Sequence, residues 1–228
     1  MPIHRDLNQN FFQSWTPQMA YVLGFFTADG NMIRNRRGAH FVAFYNNDLE
    51  ILAKIRIVIG SNHKIGTRTI RTATHKQGYQ LQIGSKQFFS DLISLGLTPR
   101  KSLNLRLPEI PHVLFGSFVR GYFDGDGCVY FKQHFAKDRQ KLRWSFSSRF
   151  TSGAKDFLMH LQKKLHKYGL HGGYIYKKSR GSGFELAFSN RDSIALYHLM
   201  YDTIPYGDLF LSGKQKLFQE AVSTIEGT

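Results

Sequence analysis

Tyr21-Val22-Leu23-Gly24-Phe25-Phe26-Thr27-Ala28-Asp29-Gly30 and Phe118-Val119-Arg120-Gly121-Tyr122-Phe123-Asp124-Gly125-Asp126-Gly127 share one design, an apolar run that stops on Asp-Gly. Read as helices, they place Ala20, Gly24 and Ala28, and likewise Ser117, Gly121 and Gly125, at i, i+4 and i+8, so each helix has one face of small residues. Glycine inside a helix costs about 1 kcal/mol relative to alanine. Close backbone contact between two small faces is a compensating gain. If the faces pack on each other, Asp29 and Asp126 arrive side by side at the end of the pair.

Two adjacent carboxylates repel, and a divalent cation between them removes the repulsion. The partial negative charge of two helix C-termini favours the same cation. Mg2+, with Ca2+ or Mn2+ able to take its place, suits a set of two carboxylates completed by water and substrate phosphate. Gly30 and Gly127 are then expected to close the helices in the left-handed conformation. One Asp-Gly alone reads as a turn; the same small-residue ladder before both makes that reading the weaker one. An EF-hand calcium loop is excluded, because Cys128 and Val129 follow where an oxygen ligand and a glycine are needed.

Val22 to Gly30 and Val119 to Gly127 resemble the paired nine-residue motifs of the LAGLIDADG homing endonucleases, in the single-chain form with two motifs. The resemblance extends across roughly residues 18 to 220. It implies that the acids at the eighth motif position, Asp29 and Asp126, bind the catalytic metal. It also implies a basic residue beside the metal site in each half: Lys101 in the first, and in the second Lys214, with Lys216 as the other candidate. The sixth motif position is Asp124 in one copy and Thr27 in the other, which puts the symmetry of the two sites in question.

With 228 residues, 42% hydrophobic and 14% aromatic, the chain can bury a substantial core. Its 31 Lys and Arg against 16 Asp and Glu give a net charge of +15 and point to a polyanionic partner. Nucleic acid fits better than a membrane surface, since the cations fall in strands and loops instead of along one amphipathic helix. The one cysteine, Cys128, is expected to be small, buried and unpaired, which suits an intracellular, reducing compartment. No apolar run has the length of a membrane span, and Met1 to Asp6 leads into no signal-peptide core.

Residues 1–15 read as a polar extension whose Phe11, Phe12 and Trp15 pack back on the first half. Thr16-Pro17 opens the first motif helix. A hairpin over residues 31–45 follows, then a helix with capping-box spacing from Asn47 to Glu50 and a face of Leu49, Leu52, Ile55 and Ile59. A hairpin over 64–83 and a helix from Ser85 to Gly96 complete the half. Residues 98–111, with prolines at 99, 108 and 111, read as a linker. The order then recurs: hairpin 129–150, helix 152–168, hairpin 174–189, helix 191–202, and a last helix over 212–225. The predicted fold is α+β, two pseudo-symmetric αββαββα halves (16–97 and 112–228) packed through the motif helices. The resemblance adds that their antiparallel sheets form a saddle that lies on DNA.

Arg34, Arg36, Arg37 and His40 fall in the first hairpin, and Arg68, Arg71, Thr74 and Lys76 (with His75) in the second. Their counterparts are Lys132, Gln133, His134, Lys137, Arg139, Lys141 and Arg143, then Tyr174, Tyr176, Lys177, Lys178 and Arg180. A single exposed cation is unremarkable, but matching sets in both halves describe a surface on which ribbons read base edges and neutralise phosphates. The histidines show no metal-ligand spacing, and no nucleophile elbow or phosphate-binding loop is present.

The expected activity is metal-dependent, site-specific cleavage of double-stranded DNA by a monomer. The resemblance implies cutting across a minor groove with short 3′ overhangs at a long, asymmetric target. The alternative is a non-cleaving nucleic-acid-binding protein on the same scaffold, either an intron-RNA maturase or a DNA-binding regulator. Two retained metal-binding acids argue against pure regulation, while intron RNA remains a further candidate partner.

Overall fold

A computed structural model describes residues 5–68, 77–99, 104–179, 181–202 and 209–227. The first half runs α1 (Pro17–Asp29), β1 (Gly30–Arg34), β2 (His40–Asn46), α2 (Leu49–Val58), β3 (Ile65–Arg68), β4 (Gly78–Gly84), α3 (Lys86–Ser94). The second repeats it as α4 (Phe115–Asp126), β5 (Gly127–Ala136), β6 (Lys141–Ser152), α5 (Lys155–His166), β7 (Tyr174–Lys177), β8 (Phe184–Ser189), α6 (Asn190–Tyr201), and adds α7 (Ser212–Glu226). Each half carries a four-stranded antiparallel sheet, ordered β1-β2-β4-β3 and β5-β6-β8-β7.

The two motif helices are buried almost throughout, because every face of them meets another apolar element. They cross at the glycines. A Cβ on Gly24 would run into the Phe118 carbonyl and lie 2.9 Å from Tyr122 N, and one on Gly121 would strike the Tyr21 carbonyl and lie 2.9 Å from Phe25 N. Backbone therefore touches backbone at that level, and at the next turn a Cβ on Gly125 would come to 2.5 Å from the Ala28 Cβ. Ala20 is buried and Ser117 half-buried in the same helices.

Sheet and helix faces close on this pair from both sides. Val42, Phe44, Leu81 and Ile83 turn inward from the first sheet, and Phe146, Phe150, Leu186 and Phe188 from the second. Phe11 and Phe12 of the N-terminal extension are buried, with Phe12 edge-on to Phe88 at 4.9 Å.

Several local expectations are corrected. Gly30 and Gly127 are extended, at φ −91°, ψ 157° and φ −95°, ψ 161°, not left-handed. Each chain passes straight from helix into strand, and the missing side chain makes room for Phe26 and Phe123, whose rings fill the place of a Cβ. The α2 cap is Asp48, whose Oδ1 accepts from Glu50 N at 2.8 Å and Ile51 N at 3.2 Å, not Asn47. Leu49 faces outward, 46% exposed, while Ile51 is buried with Leu52 and Ile55. Helix α5 starts at Lys155 because β6 continues through Ser152, whose Oγ accepts from Ala154 N. Cys128 is exposed, since it alternates with the inward-facing Val129.

Candidate active site and nucleic-acid interface

Asp29 and Asp126 are the last residues of α1 and α4. The glycine crossing brings the two helix ends together: a Cβ on Gly125, the residue before Asp126, would lie 3.5 Å from Asp29 Oδ2. The charges of both acids act on the buried Tyr122, whose hydroxyl is pushed well above its usual pKa by burial first, then by Asp126 and, less, by Asp29. Asn46, at the end of β2, donates from Nδ2 to Asp29 Oδ2 at 3.2 Å. Its register counterpart in the second half is Ser152, as Gly30 pairs with Phe44 and Gly127 with Phe150.

A cavity of about 390 Å³ opens beside Asp29, walled by Tyr45, Asn46, Arg68, Asp124 and Lys214. Lys214 enters it from the first turn of α7 and donates from Nζ to the carbonyls of Phe123 at 2.8 Å and Asp124 at 2.7 Å. Both carbonyls lie in the last turn of α4, where a cation is favoured, and that of Phe123 also accepts from Gly127 N. Burial pulls the Lys214 pKa down, while Asp124, Asp29 and Asp126 all oppose that shift. Lys214 thus sits with the first motif's acid although its chain position is in the second half. Lys216 lies two residues further along the same helix. Lys101 falls outside the described residues.

The sixth motif position separates the halves chemically. Thr27 is buried and donates to the Leu23 carbonyl of its own helix. Asp124 is equally buried, but its Oδ2 accepts from the Tyr21 hydroxyl and from Leu211 N, both at 2.8 Å. Its Oδ1 is buried with no hydrogen-bond partner among the described residues. Burial raises its pKa to about 6, against the pull of Lys214, Tyr21, Leu211 and Arg120.

Arg120, missed by sequence reasoning, is buried and donates from Nε to the Leu209 carbonyl at 3.0 Å and from Nη1 to that of Met200 at 2.7 Å. Together Arg120 and Asp124 fasten the segment that leads into α7, and so fix where Lys214 enters. A charged residue inside an apolar helix was the available signal. Buried charge is kept only when it is paired and hydrogen-bonded.

Strand register sorts the interface candidates by face. In the second sheet the outward face, turned away from the core, carries Lys132, His134, Lys141 and Arg143, with Tyr174 and Tyr176 stacked at 5.8 Å. Lys137 and Arg139 lie in the β5-β6 turn, and Lys178 approaches Glu185 at 4.0 Å. Gln133 and Lys177 alternate to the other face. In the first half Arg68 faces outward, its guanidinium 4.8 Å from the Tyr45 ring centroid, and Arg36 and Arg37 sit in the β1-β2 turn. His40 is turned the opposite way, its ring edge-on to Phe89 of α3 at 4.6 Å, and Arg34 pairs with it in register on that side. His40 is therefore a packing residue of the helix layer. Arg71, Thr74, Lys76 and Arg180 are outside the described residues.

The outward face also carries residues the reading missed. Arg149 lies there opposite Cys128, 3.7 Å from Glu185, and Gln80 and Gln82 form a side-chain pair at 2.7 Å. The signal for Arg149 was the alternation of β6, in which Lys141, Arg143, Ser145, Ser147 and Arg149 all share a face.

Two pseudo-repeated halves, each with a four-stranded antiparallel sheet and joined at paired helices that end in Asp29 and Asp126, define the fold of the single-chain meganucleases. The profile of the LAGLIDADG-like domain matches residues 16–94 and 116–199, one match per half. The chain belongs to the LAGLIDADG family. Among solved structures it is similar to the meganuclease I-SmaMI bound to uncleavable DNA, with 16% identity over 92% of this chain and 90% of that one, TM-score 0.63. It is similar also to the LAGLIDADG meganuclease I-AabMI bound to uncleaved DNA, with 14% identity over 93% and 91%, TM-score 0.62. I-SmaMI bound to an uncleaved target in the presence of calcium ions matches at 13% identity over 94% and 98%, TM-score 0.52. No helix among the described residues is long and apolar enough to cross a membrane.

Proposed function

We propose that the protein is a site-specific, divalent-metal-dependent endonuclease that cuts both strands of a DNA duplex as a monomer and leaves short 3′ overhangs. The observation that carries this reading is that Asp29 and Asp126 end two helices whose C-termini the Gly24-Gly121 crossing holds together. Among the described residues no three His, Cys, Asp or Glu side chains gather into a closed metal cage. The donor set present, two carboxylates beside helix-terminal carbonyls, fits a hard cation whose other ligands come from water and substrate phosphate. Asp29 and Asp126 would hold it, Mg2+ being the natural choice, and it would supply Lewis-acid stabilisation and an activated water.

The chain's own groups do the rest. Asn46 orients the Asp29 carboxylate. Lys214 brings positive charge to the cavity beside Asp29, where it offsets charge developing on the phosphate. By the resemblance Lys101 has the matching role in the other half. The outward cations of the two sheets hold the duplex by its phosphates, with Arg143, Arg149, Gln80 and Gln82 placed to read base edges. In this reading residues 16–97 and 112–228 are the two half-site modules, 98–111 joins them, and Phe11 and Phe12 of the extension brace the first.

Selection of cleaved sites from a randomised duplex library in Mg2+ supplies the target. On that target Asp29→Asn and Asp126→Asn each abolish double-strand cutting while binding in Ca2+ persists. Normal cleavage by either variant refutes the assignment.

A further inference from the structure

The two halves differ in the reach of one ribbon. β1 and β2 have 5 and 7 residues, whereas β5 and β6 have 10 and 12. Both ribbons begin at the residue after a motif acid, Gly30 and Gly127, so position along the strand measures distance from the helix ends. Gly30 pairs with Phe44 and Gly127 with Phe150, and in that register Arg34 and His40, the last pair of the first ribbon, correspond to Phe131 and Phe146. There the first ribbon turns back through residues 35–39. The second continues for five more pairs, from Lys132 and Ser145 to Ala136 and Lys141. At about 3.4 Å per residue the extension is about 17 Å long.

The extension leaves the core behind. Phe146 is edge-on to Phe218 of α7 at 5.7 Å, and Phe131 stacks on Trp144 at 4.3 Å. Beyond Trp144 the underside is bare: Phe135 and Leu142, directly opposite each other, are 52% and 60% exposed. A two-stranded ribbon on its own is marginally stable in water, so packing does not account for the length of this one. Its charge supplies a different reason. Residues 132–145 hold five Lys and Arg against one acid, Asp138, and among the described residues only Arg139 pairs with it, at 3.5 Å. Lys132, His134, Lys141 and Arg143 project from the outward face, in line with Arg149 nearer the helix end. A free-standing cationic ribbon has the width and the charge to lie in a major groove.

We propose that the tip of the β5-β6 ribbon contacts an outer block of the second half-site, up to about five base pairs at about 3.4 Å each, which the β1-β2 ribbon has no residues to match in the first. The inference rests on the duplex-cutting reading above and adds an inequality between the half-sites. A graft tests it: residues 132–145 are replaced by Asn35-Arg36-Arg37-Gly38-Ala39, the turn that closes the first ribbon at the corresponding pair. Anisotropy titrations in Ca2+, which need no cleavage, compare parent and graft on the selected target and on targets shortened by five base pairs at either end. Shortening the end held by the second half should weaken the parent about tenfold or more and leave the graft unchanged. The graft should bind the full target only as well as the parent binds the shortened one. Lys141→Ser with Arg143→Ser keeps the strands and should give a smaller loss of the same pattern, with the salt slope lower by about 1.8, two contacts at about 0.9 each; this pair carries the test should the graft not fold. Losses from graft and shortening that simply add, or a parent indifferent to shortening at both ends, overturn the inference and leave the endonuclease reading standing. A parent that selects no defined target sinks that reading, and this one with it.

Discussion

Asp124 offers a sharp test, because its burial has a consequence readable without any substrate. Its carboxyl titrates near 6 in the folded protein and at 3.8 as an ordinary aspartate, a difference caused first by burial. The folded state therefore binds this proton more tightly than the unfolded state. Below pH ~4 the group is neutral in both states, and its contribution is at its most favourable. As pH rises from about 4 to about 6 the unfolded chain loses the proton first and stability falls, by about 2 units at about 1.4 kcal/mol each, or ~3 kcal/mol. Above about 6 the contribution is flat. In Asp124→Asn the amide oxygen can still accept from the Tyr21 hydroxyl and Leu211 N, and the amide nitrogen takes the place of the unpartnered Oδ1. Urea denaturation of both proteins without divalent ions, at pH steps from about 4 to about 7, isolates the effect, since other groups cancel in the difference. The variant should gain ~3 kcal/mol on the parent across that range, about 6–12 °C in Tm for a domain of this size. A difference that stays constant with pH would mean that the carboxyl is not held in a desolvated site, and would refute the reasoning.

Gly121→Ala should cost about 3 kcal/mol or more by denaturant titration, because its Cβ would drive into the Tyr21 carbonyl and neither backbone can give way. Lys214→Met keeps the length of the side chain but removes its charge; strand-resolved cleavage assays should show one strand slowed far more than the other, with nicked DNA accumulating, since Lys214 lies in the cavity beside Asp29. Asp48→Ala removes the acceptor for two amides at the start of α2 and should lower stability by about 1 kcal/mol in the same titration.

The motif helices, both hairpins of each half and the repeat were legible because their signals are local. Period-two alternation, a Ser85 side chain accepting from Phe88 N at 3.1 Å, and a Gly96 at φ +87° act within one element and need no partner to be read. The helix crossing was legible too, since the spacing of small residues before each Asp sets where the two backbones touch. Faces were another matter. Alternation says that His40 and Phe41 point opposite ways, but only the packing of α3 beneath the sheet decides that His40 goes under it to meet Phe89.

Long-range partners were equally out of reach. Nothing near Lys214 in the chain shows that it will donate to carbonyls some 90 residues earlier, or that Arg120 and Asp124 will hold the approach to α7. By itself the sequence determined the elements, their duplication and the pair of acids, since propensity, capping and periodicity are properties of neighbours along the chain. Only the tertiary structure decided which cations share a face and what sits beside each acid, because those follow from burial, and burial depends on surfaces that meet only after the chain has folded.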